Sequence, residues 1–232
     1  VKGFIFYTTT FLLALPLFVI MLLLAPFVAA FDKHRRLAQH FVNNIWAKVS
    51  TIPYYGVEIV GKENLPAADT PAVYVSNHQS FLDIFTLFHL DRPFKFVSKT
   101  PNFFIPIVGW SMFLTGHIKL NRIDKRSQIK CLGDCKDLLA KGASVLFFPE
   151  GTRSKDGKMA EFKKGAFSVA SKAKVPIVPV TLIGTGHLMP NGQEGKMYNG
   201  RVKMIVHPPI APGSPDATME QARAQIASAL PA

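Results

Sequence analysis

The sequence predicts an α/β chain, a mixed sheet flanked by helices, preceded by an apolar membrane element that is either one helix or a two-helix motif. Three observations predict it. From about Tyr54 onward, short apolar runs of strand length alternate with amphipathic runs of helix length. Between Lys2 and Asp32 no charged residue occurs. A chain of 232 residues with 48% hydrophobic content suits one sizeable core plus an added apolar segment, so no second globular domain is required. The expected division is a membrane-associated helical element over residues 1–50 and an α/β domain over residues 51–232.

The uncharged amino-terminal stretch would reach about 43 Å as a continuous helix, longer than a bilayer core of about 30 Å. Pro16 and Pro26 interrupt it, which leaves two readings open: a kinked spanning helix, or two short helices folded back within one leaflet, the second from about Leu17 to Leu24. A secretory signal has a shorter apolar core, of about 7 to 15 residues. Val rather than Met at position 1 reads as a trimmed or processed chain. Next come Lys33-His34-Arg35-Arg36, then Leu37, Phe41, Ile45, Trp46 and Val49 at helical spacing. These read as a basic interfacial amphipathic helix beside anionic lipid, or as a solvated cluster ahead of a helix packed on the core.

Strands are expected at Val57–Val60, Ala72–Val75, Phe94–Val97, His117–Leu120, Ser144–Phe148, Ile177–Leu182 and Val202–Val206. Helices are expected near Ser80–His89, Asp124–Ala140, Glu161–Ser171 and Ala217–Ala229. Cys131 and Cys135, four apart in the second of these helices, are expected to be free thiols, since a disulfide framework or a zinc site needs more ligands.

Four segments can carry chemistry. NHQSFLD, Asn77 to Asp83, offers a general base and an orienting carboxylate, because imidazole titrates nearest neutrality and a carboxylate can fix its tautomer. Its bland reading is S-x-x-D helix capping by Asp83, and the two are compatible: a capped first turn would hold Asp83 facing back toward His78. FPEGTRS, Phe148 to Ser154, delivers Glu150 and Arg153 into a Gly-containing turn ahead of Lys163 and Lys164. An arginine there can bind phosphate bidentately, against the plainer reading of a surface ion pair between Glu150 and Arg153. GHIKLNR, Gly116 to Arg122, places Lys119 and Arg122 at a strand end, where they could equally be exposed charges. Val175 to Val180, with two prolines, reads as a buried edge strand.

In this order the four segments resemble the four blocks of the glycerolipid acyltransferase superfamily, most closely its 1-acylglycerol-3-phosphate acyltransferases. The resemblance spans Asn77 to Val180, and GASVLFFPEGTRSKDGK with FKKGAF looks like the plastid and bacterial branch. It implies a glycerol-3-phosphate acyltransferase-like α/β fold, a membrane-embedded amino-terminal element, and an acyl-CoA or acyl carrier protein donor, with no further cofactor and no metal. It also implies His78 as base, Asp83 as its charge partner, and Arg122, Glu150, Gly151, Thr152 and Arg153 lining the site of a lysophosphatidic acid acceptor. Lys119 and Lys163 are added here on charge and position. Many bacterial members carry an acidic residue before the block-two arginine, where this chain has Asn121. The branch implies a plastid envelope or bacterial inner membrane, with endoplasmic reticulum as the alternative.

By this resemblance the product is phosphatidic acid, and no covalent enzyme intermediate is required. Consistently, Gly109-Trp110-Ser111 continues as Met112-Phe113 and lacks the closing glycine of a nucleophile elbow. The rivals are another acceptor within the superfamily and a noncatalytic lipid-binding protein. The net charge of +12 suits anions generally, but the apolar element and the lack of a nucleic-acid motif argue against DNA or RNA. The remaining histidines are expected in surface or packing roles.

Overall fold

The computed structural model describes residues 1–154 and 156–231; Lys155, in the SKDGK wording, and Ala232, at the end of the expected domain, lie outside the described residues. Seven strands form one sheet: β1 Tyr55–Val60, β2 Val73–Ser76, β3 Lys95–Lys99, β4 Ile118–Leu120, β5 Val145–Phe147, β6 Ile177–Ile183 and β7 Gly200–Val206. Among the described residues eight α-helices accompany them: α1 Lys2–Phe31, α2 Leu37–Thr51, α3 Leu82–Leu87, α4 Val108–Thr115, α5 Lys125–Ala140, α6 Gly165–Ala173, α7 Thr185–Leu188 and α8 Pro215–Ala229. The mixed sheet flanked by helices is as the sequence predicts.

The strand order is β1-β7-β6-β2-β5-β3-β4, with β6 and β7 antiparallel and every other neighbouring pair parallel. Strands β6, β2, β5, β3 and β4 therefore share a direction and end on one edge, where open α/β sheets bind ligands. Side chains alternate across the sheet. Val73, Val75, Val145 and Ile177 pack on one face with Cys131, Phe167 and Ile226, while Tyr74, Leu146 and Val178 pack on the other with Leu82, Phe85 and Phe94. Cys131 and Cys135 are buried free thiols in the first of these layers.

One expectation about the elements is corrected, and the alternative left open at the amino terminus is decided. Val175 to Val180 is no edge: β6 lies between β7 and β2. Pro179 is tolerated because its carbonyl accepts from His207 N at 2.9 Å, so its missing N–H falls at the margin of a β6–β7 ladder that begins at Val180 and Val206. The amino-terminal stretch does not break into two short helices at its prolines but runs as one helix with both inside. Gly3, Phe6, Thr10, Ala14, Met21 and Val28 form a buried stripe along it, and packing over that length outweighs the one hydrogen bond each proline removes. A side-chain carbon at Gly3 would collide with the Gly195 carbonyl, so close approach is why glycine stands there.

Helix α2 forms where the spacing places it and turns Leu37, Phe41 and Val49 outward, as an interfacial helix would. Its inward face is largely polar, with Gln39, His40, Asn43 and Asn44 buried. Asn43 Nδ2 donates to Thr115 Oγ1 at 2.8 Å and Asn44 Nδ2 to Asp91 Oδ1 at 3.0 Å. The two arginines of the basic cluster before it are engaged: Arg35 donates to Ala68 O, and Arg36 Nη1 donates to Phe113 O and Leu114 O. With Lys95 Nζ on Thr115 O, Arg36 closes the carboxyl end of α4, where cations suit the helix dipole.

Candidate active site

Strand β2 ends at Ser76 and hands the chain to Asn77, whose side chain fixes the exit in both directions. Its Nδ2 donates to Leu182 O at 2.9 Å and its Oδ1 accepts from Leu182 N at 2.8 Å, locking the turn to β6. The next residue, His78, is therefore presented from a rigid strand end. Its ring stacks on Phe148, with centroids 3.8 Å apart and planes inclined by 14°.

Asp83 is fully buried in the first turn of α3. Its Oδ2 lies 2.8 Å from His78 Nδ1 and accepts from Gln79 N at 2.7 Å and Ser80 N at 2.9 Å. The helix-capping and base-orienting readings are thus one arrangement: the amides that Asp83 caps also aim its carboxylate at the imidazole. With Nδ1–H donating to Asp83, His78 Nε2 is left as an acceptor on a side chain 15% exposed. Asp83 Oδ1 is buried with no partner among the described residues.

The neighbouring strand β5 supplies FPEGTRS. Glu150 is nearly buried, and both carboxylate oxygens are used: Oε1 accepts from His78 N at 2.7 Å and Oε2 from Ala160 N at 2.9 Å. Burial pushes its carboxyl above the usual range, opposed by those two amides. Glu150 therefore braces the His78 backbone, and among the described residues Arg153 pairs with Glu194 and not with Glu150. Ser154 N donates to His78 O at 2.8 Å, so Arg153 is held one residue from the His78 carbonyl. Arg153 Nη1 donates to Glu194 Oε1 at 2.7 Å. Gly151 adopts φ +76° beneath Lys163: a Cβ there would lie 2.8 Å from Lys163 Nζ. Thr152, beside it, is exposed.

Block two is placed differently. Lys119 Nζ sits 5.0 Å from the Phe103 ring centroid and 5.7 Å from that of Phe113. It belongs to an apolar groove of about 460 Å³ lined also by Phe18, Leu22 and Trp110, not to the group around His78. Strand alternation decides this: Ile118 is buried in the α5 layer, so Lys119 points to the opposite face. Arg122 follows β4 at the far end of the sheet, its guanidinium without a partner among the described residues. Asn121 shapes that turn, its Oδ1 accepting from Ile123 N at 3.2 Å and its N donating to Ser127 Oγ at 3.0 Å.

The geometry combines a carboxylate-oriented imidazole with an arginine, a lysine and a glycine turn at the carboxyl edge of adjacent strands. The sequence matches the family model described as acyltransferase over residues 56–183, from β1 through the end of β6. A 1-acyl-sn-glycerol-3-phosphate acyltransferase of Chlamydomonas reinhardtii is 62% identical over 232 residues, 100% of this chain and 70% of that protein. The chain belongs to the 1-acyl-sn-glycerol-3-phosphate acyltransferase family.

A chloroplastic member of this family from Arabidopsis thaliana is 52% identical over 229 residues, 99% of this chain; the chain spans 64% of that relative's length. Among solved structures, the 1-acyl-sn-glycerophosphate acyltransferase PlsC of Thermotoga maritima superposes with a TM-score of 0.74 at 27% identity, covering 95% of this chain and 94% of that one. The acyltransferase fold and enzyme class are therefore established for this chain. Three side chains of the candidate site carry no role in the sequence motifs themselves. Asn77 and Phe148 lie inside the quoted segments, where their position is a signal. Glu194 lies in an irregular segment far downstream, where nothing in the local pattern marks it.

Proposed function

We propose that this acyltransferase moves a fatty acyl group from an acyl-CoA or acyl carrier protein thioester to the sn-2 hydroxyl of 1-acylglycerol 3-phosphate, making phosphatidic acid for phospholipid synthesis. The observation that carries the reading is the His78 Nδ1 to Asp83 Oδ2 contact of 2.8 Å, with Arg153 one residue from the amide bonded to His78 O. The family names of the relatives support the acceptor.

In this reading His78 Nε2 takes the proton of the sn-2 hydroxyl as its oxygen attacks the thioester carbonyl. A tetrahedral oxyanion forms, the C–S bond breaks, and the imidazolium returns its proton to the departing thiolate. Asp83 holds the imidazole and stabilises its cation, while Arg153 and Lys163 hold the acceptor phosphate. A general base contributes about 10²- to 10⁴-fold, so positioning and oxyanion stabilisation supply the rest.

Membrane association fits the same reading. Among the described residues one helix, α1, is long and apolar enough to cross a bilayer. Its outward face exposes Phe4, Leu12, Leu23 and Phe27, continued on the domain by Phe104, Trp110 and Phe113. Such a face would sit in lipid and let the acceptor keep its tail there. The chloroplastic relatives favour a plastid membrane. Purified chain, labelled thioester donors of both kinds and a panel of acceptors test the proposal. The expected result is acylation of 1-acylglycerol 3-phosphate; an inert lysophosphatidic acid beside an active alternative would overturn the acceptor assignment.

A further inference from the structure

Between α7 and β7, the segment Met189–Asn199 touches both halves of the site and the start of α1. Ser80 Oγ, inside the His78–Asp83 turn, donates to Met189 O at 2.7 Å, and Tyr7 OH donates to Met189 Sδ at 3.6 Å. Asn191 Nδ2 donates to Arg153 O at 3.3 Å and Ser154 O at 3.1 Å. Glu194 Oε1 accepts from Arg153 Nη1 at 2.7 Å and from Gly192 N at 3.1 Å. At the far end, Lys2 Nζ donates to Asn199 Oδ1 at 2.6 Å, and Gly3 rests against the Gly195 backbone.

An arginine fork has more than one bidentate edge. Glu194 uses a single oxygen and a single amino group, and among the described residues neither Arg153 Nε nor Nη2 has a hydrogen-bond partner. The guanidinium is thus fixed while one of its edges stays open. A carboxylate competing for a phosphate's place on this fork would gain most by pairing with both donors of one edge, and Glu194 is instead tethered to Gly192 N.

We propose that Glu194 is a positioning residue: it holds Arg153 so that the Nε and Nη2 edge meets the acceptor phosphate, and the seating of α1 on Gly195 keeps Glu194 in place. The proposal rests on the acceptor reading above. Its consequence is that α1 does more than anchor the chain. It supports the strut on which acceptor affinity depends.

The test is steady-state acylation by the full chain in mixed micelles, varying 1-acylglycerol 3-phosphate at saturating thioester. Glu194→Gln is expected to raise the acceptor KM about 10-fold with kcat within about 2-fold, since lost positioning of a ground-state contact appears in KM. Glu194→Asp should fall between Gln and wild type. Gly3→Val, which touches neither Arg153 nor Glu194, should raise the same KM while the donor KM stays constant. An acceptor KM unchanged in Glu194→Gln, with only kcat or folded fraction lowered, overturns the proposal by showing a purely structural role. A lowered KM overturns it by showing a competitor. If wild type leaves 1-acylglycerol 3-phosphate untouched, the acceptor reading fails by itself, and the same comparison is made with whichever phosphate-bearing acceptor turns over. A chain that uses only phosphate-free acceptors overturns both.

Discussion

Asp83 binds three donors through one oxygen, two backbone amides and the His78 ring, and this makes the residue sensitive to a change of one atom. Asp83→Asn keeps the size but removes the negative charge that stabilises an imidazolium. We expect kcat to fall by about 10²- to 10⁴-fold, with the circular dichroism spectrum unchanged. Glu150→Gln leaves either His78 N or Ala160 N facing an amide NH₂. One buried donor is then unpaired, at a cost of about 1–3 kcal/mol of stability measured by denaturant unfolding. His40 carries a pH prediction. Its ring is buried between Phe88 and Phe94, and neither nitrogen has a partner among the described residues. Burial lowers its pKa to about 3, from an ordinary 6.5. Between those values the unfolded chain binds the proton and the folded chain does not. Stability is therefore retained above pH 6.5 and declines as pH falls below it, by up to about 1.4 kcal/mol per pH unit from this group. His40→Leu should flatten that part of the pH profile of unfolding midpoints.

At the scale of elements, the seven strands were legible because each is a short apolar run with clear flanks, and observed bounds differ from the expected ones by two residues or fewer. The helices α5 and α8 were legible for similar reasons, with Asp124 capping α5 by accepting from Arg126 N and Ser127 N. Helix α4 was not expected at all. It is short and almost wholly apolar, so it shows no amphipathic period, and the groups that close its end, Arg36 and Lys95, come from elsewhere in the chain. Helix α2 was legible by its spacing: the apolar positions Leu37, Phe41 and Val49 fall on one side and point outward, and the tertiary structure buries the largely polar other side. Burial separates the two faces of α1 in a testable way. Met21 is 1% exposed and Leu23 68% exposed. Met21→Ala should cost about 2–5 kcal/mol of stability. Leu23→Ala should leave stability within about 0.5 kcal/mol and weaken flotation with lipid vesicles.

For the whole molecule, the parallel strands bring two motifs some seventy residues apart in sequence onto neighbouring strand ends, β2 and β5, so that NHQSFLD and FPEGTRS lie together in the candidate site. Pattern and spacing sufficed to find both. What they could not show is which polar groups face substrate and which brace the backbone, because that depends on cross-strand contacts. Glu150 illustrates it, being spent on His78 N and Ala160 N. So does Lys119, turned by strand alternation into the groove beside α4. The role proposed for His78, oriented by Asp83, is to draw the proton from the sn-2 hydroxyl of a lysophosphatidic acid. The most direct measurement is single-turnover acyl transfer from a labelled thioester to 1-acylglycerol 3-phosphate, comparing wild type with His78→Ala at equal folded concentration. Labelled phosphatidic acid should form with wild type and fall by at least about 10²-fold in the variant. Full activity in His78→Ala would contradict the account.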